Sequence, residues 1–198
     1  QTSPGPAQES RDLSPCSTSG RYNLVVERLL EDCSHAWGLK SVVLRISNLG
    51  GAATGDFTGV PLYHSRSLVP SLVRAFHKMT WSDRLACLSP ERLFDLIHVA
   101  DAADAVSGVV EQIALEPDLA GTFNVCSGEG VPFSALIQEM EAHSGRKLQP
   151  LEGPFEAISP FGPIGDNTAF SGRFKWTPGF SYQEILSSAW SHKESYPG

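Results

Sequence analysis

Two stretches of the sequence carry residue types that could do chemistry by themselves. His98 and Asp101 lie three residues apart, a spacing that suits a metal-ligand pair or an acid–base pair. The run GGAATG (50–55) has the glycine content of a loop that cradles phosphate groups. Each stretch also has a simpler explanation. Asp101 opens a predicted helix whose free amide groups it can cap, and no Lys-Ser/Thr pair follows the glycine run.

A nucleophilic serine and a dinucleotide cradle are also poorly supported. Ser19 lies near Asp32 or His35 on one predicted helical face, but that face supplies no orienting third group, and the Gly-x-Ser-x-Gly turn is absent. Gly128 and Gly130 are followed by Val-Pro instead of a third glycine, so they do not match the dinucleotide fingerprint. The four cysteines form no Cys-x-x-Cys pair of the kind that binds zinc. We therefore expect no metal site and no cofactor cradle on this chain alone.

Charge and hydropathy limit the classes of partner. The net charge is −7, and no run of Lys or Arg exceeds two residues, which argues against a nucleic-acid partner. No apolar run approaches the roughly 18 residues of a membrane span. The widely spaced cysteines are typical of a reducing compartment, so we expect a cytoplasmic protein. Because the chain begins with Gln and a polar stretch, we expect its natural start to lie upstream.

Helices and strands alternate along the predicted structure, as in an α/β protein. Apolar residues recur at helical spacing from Gly20 to Trp37, and Gly38 is a typical helix stop. The β-branched run SVVLRISN (41–48) does not alternate, which indicates a strand buried on both faces of a parallel sheet. Residues 149–173 show no clear element. Further helices are predicted over 67–78, 100–115, 132–143 and 176–192, and short strands over 85–90, 93–99 and 122–127.

Seven segments in order resemble the carboxyl-terminal half of the extended short-chain dehydrogenase/reductase superfamily, especially its NAD-dependent epimerase/dehydratase members that act on nucleotide sugars. They are NLVVERLLED, VVLRISNLGGA, GDFTGVP, SLVPSLVRA, FDLIHVADAADAV, GTFNVCSGEGVPFSALI and FKWTPGFSYQEIL. The resemblance implies an α/β, Rossmann-type fold without its glycine-rich dinucleotide half. Residues 1–18 would form a leading loop and 19–198 the substrate-binding half. NAD(P) is the cofactor that the family implies, held by a cofactor-binding half upstream or on another chain.

The same resemblance places a catalytic pair at the head of the first helix, and this chain departs from it. Relatives carry Tyr-x-x-x-Lys, with the Lys four residues before the glutamate that is Glu27 here. Counting back puts Asn23 at the Lys position and Ser19 at the Tyr position. The register that uses Tyr22 puts Val26 at the Lys position, which is worse. Asn carries no positive charge, and a serine hydroxyl is shorter and less acidic than a phenol. We predict that the standard proton relay is absent.

On the substrate side the match to the family is mixed. Asn48 corresponds to an Asn that contacts the nucleotide diphosphate in sugar epimerases, and Leu68 to an apolar residue near the base. Ser67 stands where that family often has Asn. A diphosphate-clamping Arg of the family aligns with Phe94, while Arg92 lies two residues away.

A later arginine-rich diphosphate loop of the family aligns with residues 153–167, which contain no Arg or Lys. A diphosphate is poorly held without such charge. A hydrophobic or carrier-bound substrate would suit this segment better, through Phe155, Ile158, Phe161 and Ile164.

Three functional hypotheses follow from these matches. The favoured one is a degenerate epimerase/dehydratase-like domain with a substrate-binding or non-redox role, partnered by a cofactor-binding half or a homologous subunit. An atypical but active nucleotide-sugar epimerase or reductase is the second. The third is a reductase-like domain of a polyketide or peptide synthase that acts on a carrier-bound thioester, since thioester reductase domains belong to the same superfamily.

Overall fold

The computed structural model describes residues 5–52, 67–152 and 162–192. Helices and strands alternate over these ranges, as the sequence predicts. The helices are α1 (Thr18–Trp37), α2 (Leu68–Lys78), α3 (Asp83–Ala86), α4 (Val99–Leu115), α5 (Phe133–Ser144), α6 (Thr168–Phe174) and α7 (Tyr182–Ser191). The strands are β1 (Val42–Ile46), β2 (Asn48–Gly50), β3 (Leu93–Phe94), β4 (Leu96–His98), β5 (Gly121–Val125) and β6 (Val131–Pro132). No helix in the described ranges combines the length and the apolar character needed to cross a bilayer.

Two predictions about secondary structure were wrong. Residues 85–90 were expected to form a strand, but the short helix α3 occupies the start of this segment. The apolar side chains of this segment, Leu85 and Leu88, are three residues apart and both buried. Over only six residues, such a helical spacing cannot be distinguished from the pattern of a buried strand. Residues 149–173 were expected to hold no element, yet α6 begins at Thr168 because the ring of Phe170 is anchored in the core.

Helix α1 is attached to the rest of the fold by few contacts. Ser17 caps it by accepting a hydrogen bond from Gly20 N at 3.0 Å, and Gly38 ends it in the left-handed region at φ 69°. None of its residues is buried. A bidentate ion pair links it to β1, because Arg45 Nε and Nη2 donate to the Glu27 carboxylate at 3.0 and 2.6 Å. Such paired, charge-assisted hydrogen bonds fix orientation as well as distance.

Strands β1 and β5 form a parallel pair in the register Val42↔Gly121 to Ile46↔Val125. Strands β2 and β4 form a second parallel pair, and β3 and β6 form an antiparallel one. The larger apolar core lies among α2, α5 and α7, and the smaller one packs α4 and α6 against the β1–β5 pair. These pairs bring the carboxyl ends of β1 and β5 and the start of β2 to one edge of the fold.

The two outer edges of the β1–β5 pair differ. On the β5 side, Asn124 N donates to Glu9 Oε1 and Asn124 Nδ2 donates to Ala7 O, both at 2.8 Å. The segment around Ala7 therefore covers this edge, as proteins commonly do at the end of a sheet.

On the other side, β1 has no strand partner within the described residues. Hydrogen bonds of Ser41 O and Ser47 N to β5 show that the odd-numbered residues face that strand. Alternate residues therefore point their N–H and C=O groups outwards. We call these residues the outer edge of β1: Val42, Leu44 and Ile46.

Candidate functional site at the carboxyl ends of the strands

Asn48 begins β2 directly after the carboxyl end of β1, where open α/β sheets bind ligands. Its backbone N–H and its side-chain Nδ2 both donate to the carbonyl oxygen of Asp95, at 3.2 and 2.8 Å. The side chain is therefore held in one orientation. Among the described residues the Oδ1 atom has no hydrogen-bond partner, so it can accept a hydrogen bond from a ligand.

The other predicted substrate residues lie apart from these contacts. Leu68 and Phe94 are both 0 % exposed in the larger core, and the Phe94 ring lies 5.8 Å from that of Phe133. A buried core position explains both residues, and they offer no surface to a ligand in this structure. Ser67 is the residue before α2, and Arg92 precedes β3, where its carbonyl accepts from Phe133 N at 2.8 Å. The ligand contacts assigned to Ser67 and Arg92 stay predictions.

Ser19 and Asn23 lie four residues apart on α1, so the helix presents both on one side. Both side chains are exposed, and Ser19 Oγ lies 3.2 Å from Ser17 Oγ. The structure thus brings these two positions together, although their correspondence to a Tyr and a Lys rests on the alignment with Glu27.

Asp101 does not cap α4, contrary to the sequence prediction. His98 is the capping residue, since its Nδ1 accepts from Ala100 N at 3.1 Å. The Asp101 carboxylate instead accepts from Gly179 N at 2.9 Å and from Phe180 N at 3.2 Å. The buried Asp101 carboxylate therefore anchors the loop at Gly179 and does not cap its own helix. The spacing of three residues gave no information on that long-range contact.

His98 and Ser188 form a pair that resembles a nucleophile and its base, with 3.2 Å between Nε2 and Oγ. Because Nδ1 accepts from Ala100 N, the neutral ring carries its hydrogen on Nε2 and donates to Ser188. A general base would need the opposite arrangement. Ser188 Oγ also accepts from Ala52 N at 3.2 Å and donates to Ile185 O at 3.1 Å. These hydrogen bonds occupy both nitrogens of His98 and the hydroxyl of Ser188, so the pair has a structural role.

Burial keeps this histidine neutral. His98 is 2 % exposed, and its ring stacks on Phe180 with 4.0 Å between the ring centroids. Desolvation lowers the pKa of His98, and the negative charges of Asp101 and Glu184 oppose that shift only in part. The neutral ring that the hydrogen bonds require is therefore the dominant form at neutral pH.

Asp95 is the residue that sequence reasoning missed. It is 0 % exposed, and its carboxylate accepts hydrogen bonds from Ser47, Ser127, Gly128 and Gly165. Its signal was visible in LFDLIHV, where a single acid interrupts a run of mainly apolar residues. An ionisable residue in such a run is rarely buried without a set of partners.

The described residues bear on metal binding and on nucleophilic chemistry by the buried cysteine. No three His, Cys, Asp or Glu side chains of that part of the chain gather closely enough to hold a metal ion. Cys126 is buried beside Asp95, and burial first and that carboxylate second raise the pKa of its thiol to about 12. A thiol with such a pKa is a poor nucleophile at neutral pH.

Comparison with known proteins gives the family. The family model described as NAD dependent epimerase/dehydratase family matches residues 1–126. The UDP-glucose 4-epimerase of Halalkalibacterium halodurans is 24% identical over 97% of this chain and 59% of its own length. That of Rhizobium leguminosarum bv. trifolii is 30% identical over 93% of this chain and 58% of its own length. The chain therefore spans somewhat under two thirds of these relatives.

Solved structures agree on the fold. A UDP-glucose 4-epimerase from Thermotoga maritima, crystallised with UDP-glucose, superposes with a TM-score of 0.74 over 98% of this chain at 21% identity. The Brucella ovis enzyme in complex with NAD superposes with a TM-score of 0.78 over 94% of this chain at 23% identity. Each match covers 59% of the larger structure. The predicted α/β, Rossmann-type partial fold is confirmed. The chain belongs to the NAD-dependent epimerase/dehydratase family.

Proposed function

We propose that this chain is the substrate-binding part of an epimerase/dehydratase-type protein and that it performs no standard redox step. It binds its ligand at the carboxyl ends of the strands, next to Asn48. The observation that carries this proposal is the pair Ser19 and Asn23 at the head of α1. Neither side chain can supply the acidic hydroxyl and the positive charge that a Tyr-x-x-x-Lys relay requires. A role in the cytoplasm is part of the same proposal.

A cofactor-binding half is the partner that the sheet would accept. The outer edge of β1 presents the backbone groups of Val42, Leu44 and Ile46, while the opposite edge of the pair is covered by the segment around Ala7. An added parallel strand would satisfy the exposed backbone groups and extend the sheet in one direction only. NAD(P) would then be held by that half or by a homologous subunit, since family members are known in complex with NAD.

The charge of segment 162–167 disfavours tight binding of a diphosphate next to Asn48. Segment 162–167, which packs beside the carboxyl end of β5, contains no Arg or Lys and carries Asp166. Of the apolar side chains expected to favour a hydrophobic substrate, Ile164 lies against Gly130, while Phe155, Ile158 and Phe161 lie outside the described residues. No observation on the part of the chain that the structure describes favours the carrier-bound thioester over the other candidates.

Titration of the purified chain with NADH and with UDP-glucose tests this proposal. NADH should show no saturable binding in a fluorescence titration. UDP-glucose should bind weakly, with a dissociation constant on the order of 1 mM, because segment 162–167 supplies no cation to clamp the diphosphate. Asn48→Ala should weaken that binding about tenfold, whereas Gln183→Ala, an exposed amide on α7, should leave it unchanged.

Saturable NADH binding would refute the absence of a cofactor cradle. UDP-glucose binding that Asn48→Ala leaves intact would refute the position of the ligand site. A complete lack of UDP-glucose binding would exclude nucleotide sugars as the ligand class.

An atypical active epimerase is the second candidate, because relatives in both comparisons carry the name UDP-glucose 4-epimerase. It requires proton-transfer groups other than Ser19 and Asn23. Interconversion of UDP-glucose and UDP-galactose by the unmodified chain, joined to a cofactor-binding half, would establish it against the non-redox role.

A further inference from the structure

The carboxylate of Asp95 is the most densely hydrogen-bonded acidic group of the described chain. Its Oδ1 atom accepts from Ser47 Oγ at 3.0 Å and from Ser127 N and Oγ, both at 2.9 Å. Its Oδ2 atom accepts from Gly128 N and from Gly165 N, both at 3.1 Å. Five donors thus converge on two oxygen atoms. Three of these donors are backbone amides, as in the concave sites that bind anions.

These donors come from three separate parts of the chain. Ser47 joins β1 to β2, Ser127 and Gly128 follow β5, and Gly165 precedes α6. None of the salt bridges described for this structure involves Asp95, and hydrogen bonds from the described residues satisfy its buried side chain. The three segments therefore surround the Asp95 side chain with hydrogen-bond donors.

The same residue fixes Asn48 from two sides. The carboxylate holds the hydroxyl of Ser47, the residue before Asn48. The carbonyl of Asp95 accepts from both the backbone N–H and the Nδ2 of Asn48. Any displacement of Asp95 would move the segment that carries Asn48 and the turn after β5 together.

We infer that Asp95 is the positioning residue of the ligand site: its carboxylate occupies an internal anion cavity and thereby sets the orientation of the Asn48 side chain. That the oriented group meets a ligand rests on the proposed function. The orientation itself is a property of the chain without ligand and is testable on its own.

Removal of the carboxylate should be repaired by a small anion. Asp95→Ala leaves the five donors around a cavity of carboxylate size, so the midpoint of thermal unfolding should fall by roughly 10 °C. Formate, which supplies the missing carboxylate, should recover about half of that loss in a saturable manner. Asp95→Asn should show no such recovery, because its amide fills the cavity. Asp104→Ala on the exposed face of α4 should show neither the loss nor the recovery.

The NMR signal of the Asn48 side-chain amide separates positioning from stability. In the unmodified chain its hydrogen bond to Asp95 O should slow hydrogen exchange of Nδ2. Under conditions where Asp95→Ala is fully folded, that exchange should accelerate at least about tenfold, and formate should slow it again. A folded Asp95→Ala chain with unchanged Asn48 exchange would overturn the inference, as would recovery of stability by formate without recovery of the amide signal.

Ser47→Ala keeps the test decisive if Asp95→Ala does not fold. It removes one hydroxyl from the carboxylate and should accelerate Asn48 exchange about threefold. Ser107→Ala, an exposed position on α4, is the matched control. Equal exchange in both variants would overturn the inference. Because none of these tests uses UDP-glucose, failure of the UDP-glucose titration leaves their outcomes unaffected.

Discussion

Ser19→Tyr combined with Asn23→Lys should raise epimerase activity at least about 100-fold in a fusion of this chain to the cofactor-binding half of a relative. The two positions share one side of α1 at a spacing of four residues. A phenol near a lysine ammonium has a lowered pKa, which suits a general acid–base group better than a serine hydroxyl does. The measurement is the rate of UDP-galactose conversion to UDP-glucose with NAD⁺ supplied.

A matched variant tests whether position or mere composition produces the gain. Arg28→Tyr with Asp32→Lys places the same two residue types at the same spacing, further along the exposed surface of α1. This variant should show no gain. If the fusion binds NADH but Ser19→Tyr with Asn23→Lys adds no activity, the substrate pocket has diverged as well and loss of the relay alone is an insufficient account.

Gly51→Ala should lower the free energy of unfolding by about 3 kcal/mol or more. Gly51 has φ +81°, and a Cβ atom there would meet His98 Cδ2 at 2.3 Å. The His98 ring cannot move aside, since both its nitrogens are hydrogen-bonded and it stacks on Phe180. The added methyl group must therefore break the network that joins β4 to α7. Urea denaturation followed by circular dichroism measures the loss.

Two other glycines separate the causes of that loss. Gly38 has φ +69°, and no atom lies within 4 Å of the position that a Cβ atom would take there, so Gly38→Ala isolates the backbone cost at about 1 kcal/mol. Gly108 lies in α4 with open space and no positive φ, so Gly108→Ala should stabilise the chain by about 0.5–1 kcal/mol. A loss at Gly51 no larger than that at Gly38 would contradict the close packing against His98.

Local patterns predicted the elements whose signals lie within one segment. Helix α1 has both a capping serine and a glycine stop, and β1 has an uninterrupted β-branched run. Helix α6 lacked such signals because its anchor is the tertiary burial of Phe170, which no local period encodes. The strand β2 was not separated from β1, since the break at Ser47 is made by hydrogen bonds to β5 and to Asp95.

The site was harder to predict than the fold. Asn48 was identified by resemblance, and its surroundings depend on contacts between residues 47 or more positions apart, such as that with Asp95. The Asp101 prediction failed for the same reason, because a carboxylate next to a helix start can cap it or can hold a distant loop. Only the structure shows that His98 provides the cap and that Asp101 holds Gly179.

We propose that the outer edge of β1, which has no strand partner among the described residues, receives a strand from a cofactor-binding half. Amide hydrogen exchange along β1 in the isolated chain tests it most directly, because alternate residues of one strand serve as internal controls. The amides of Val43 and Arg45, which face β5, should exchange at least about tenfold more slowly than those of Val42, Leu44 and Ile46. Uniform protection along all five residues would show that the outer edge is already occupied, so that no further strand could pair there.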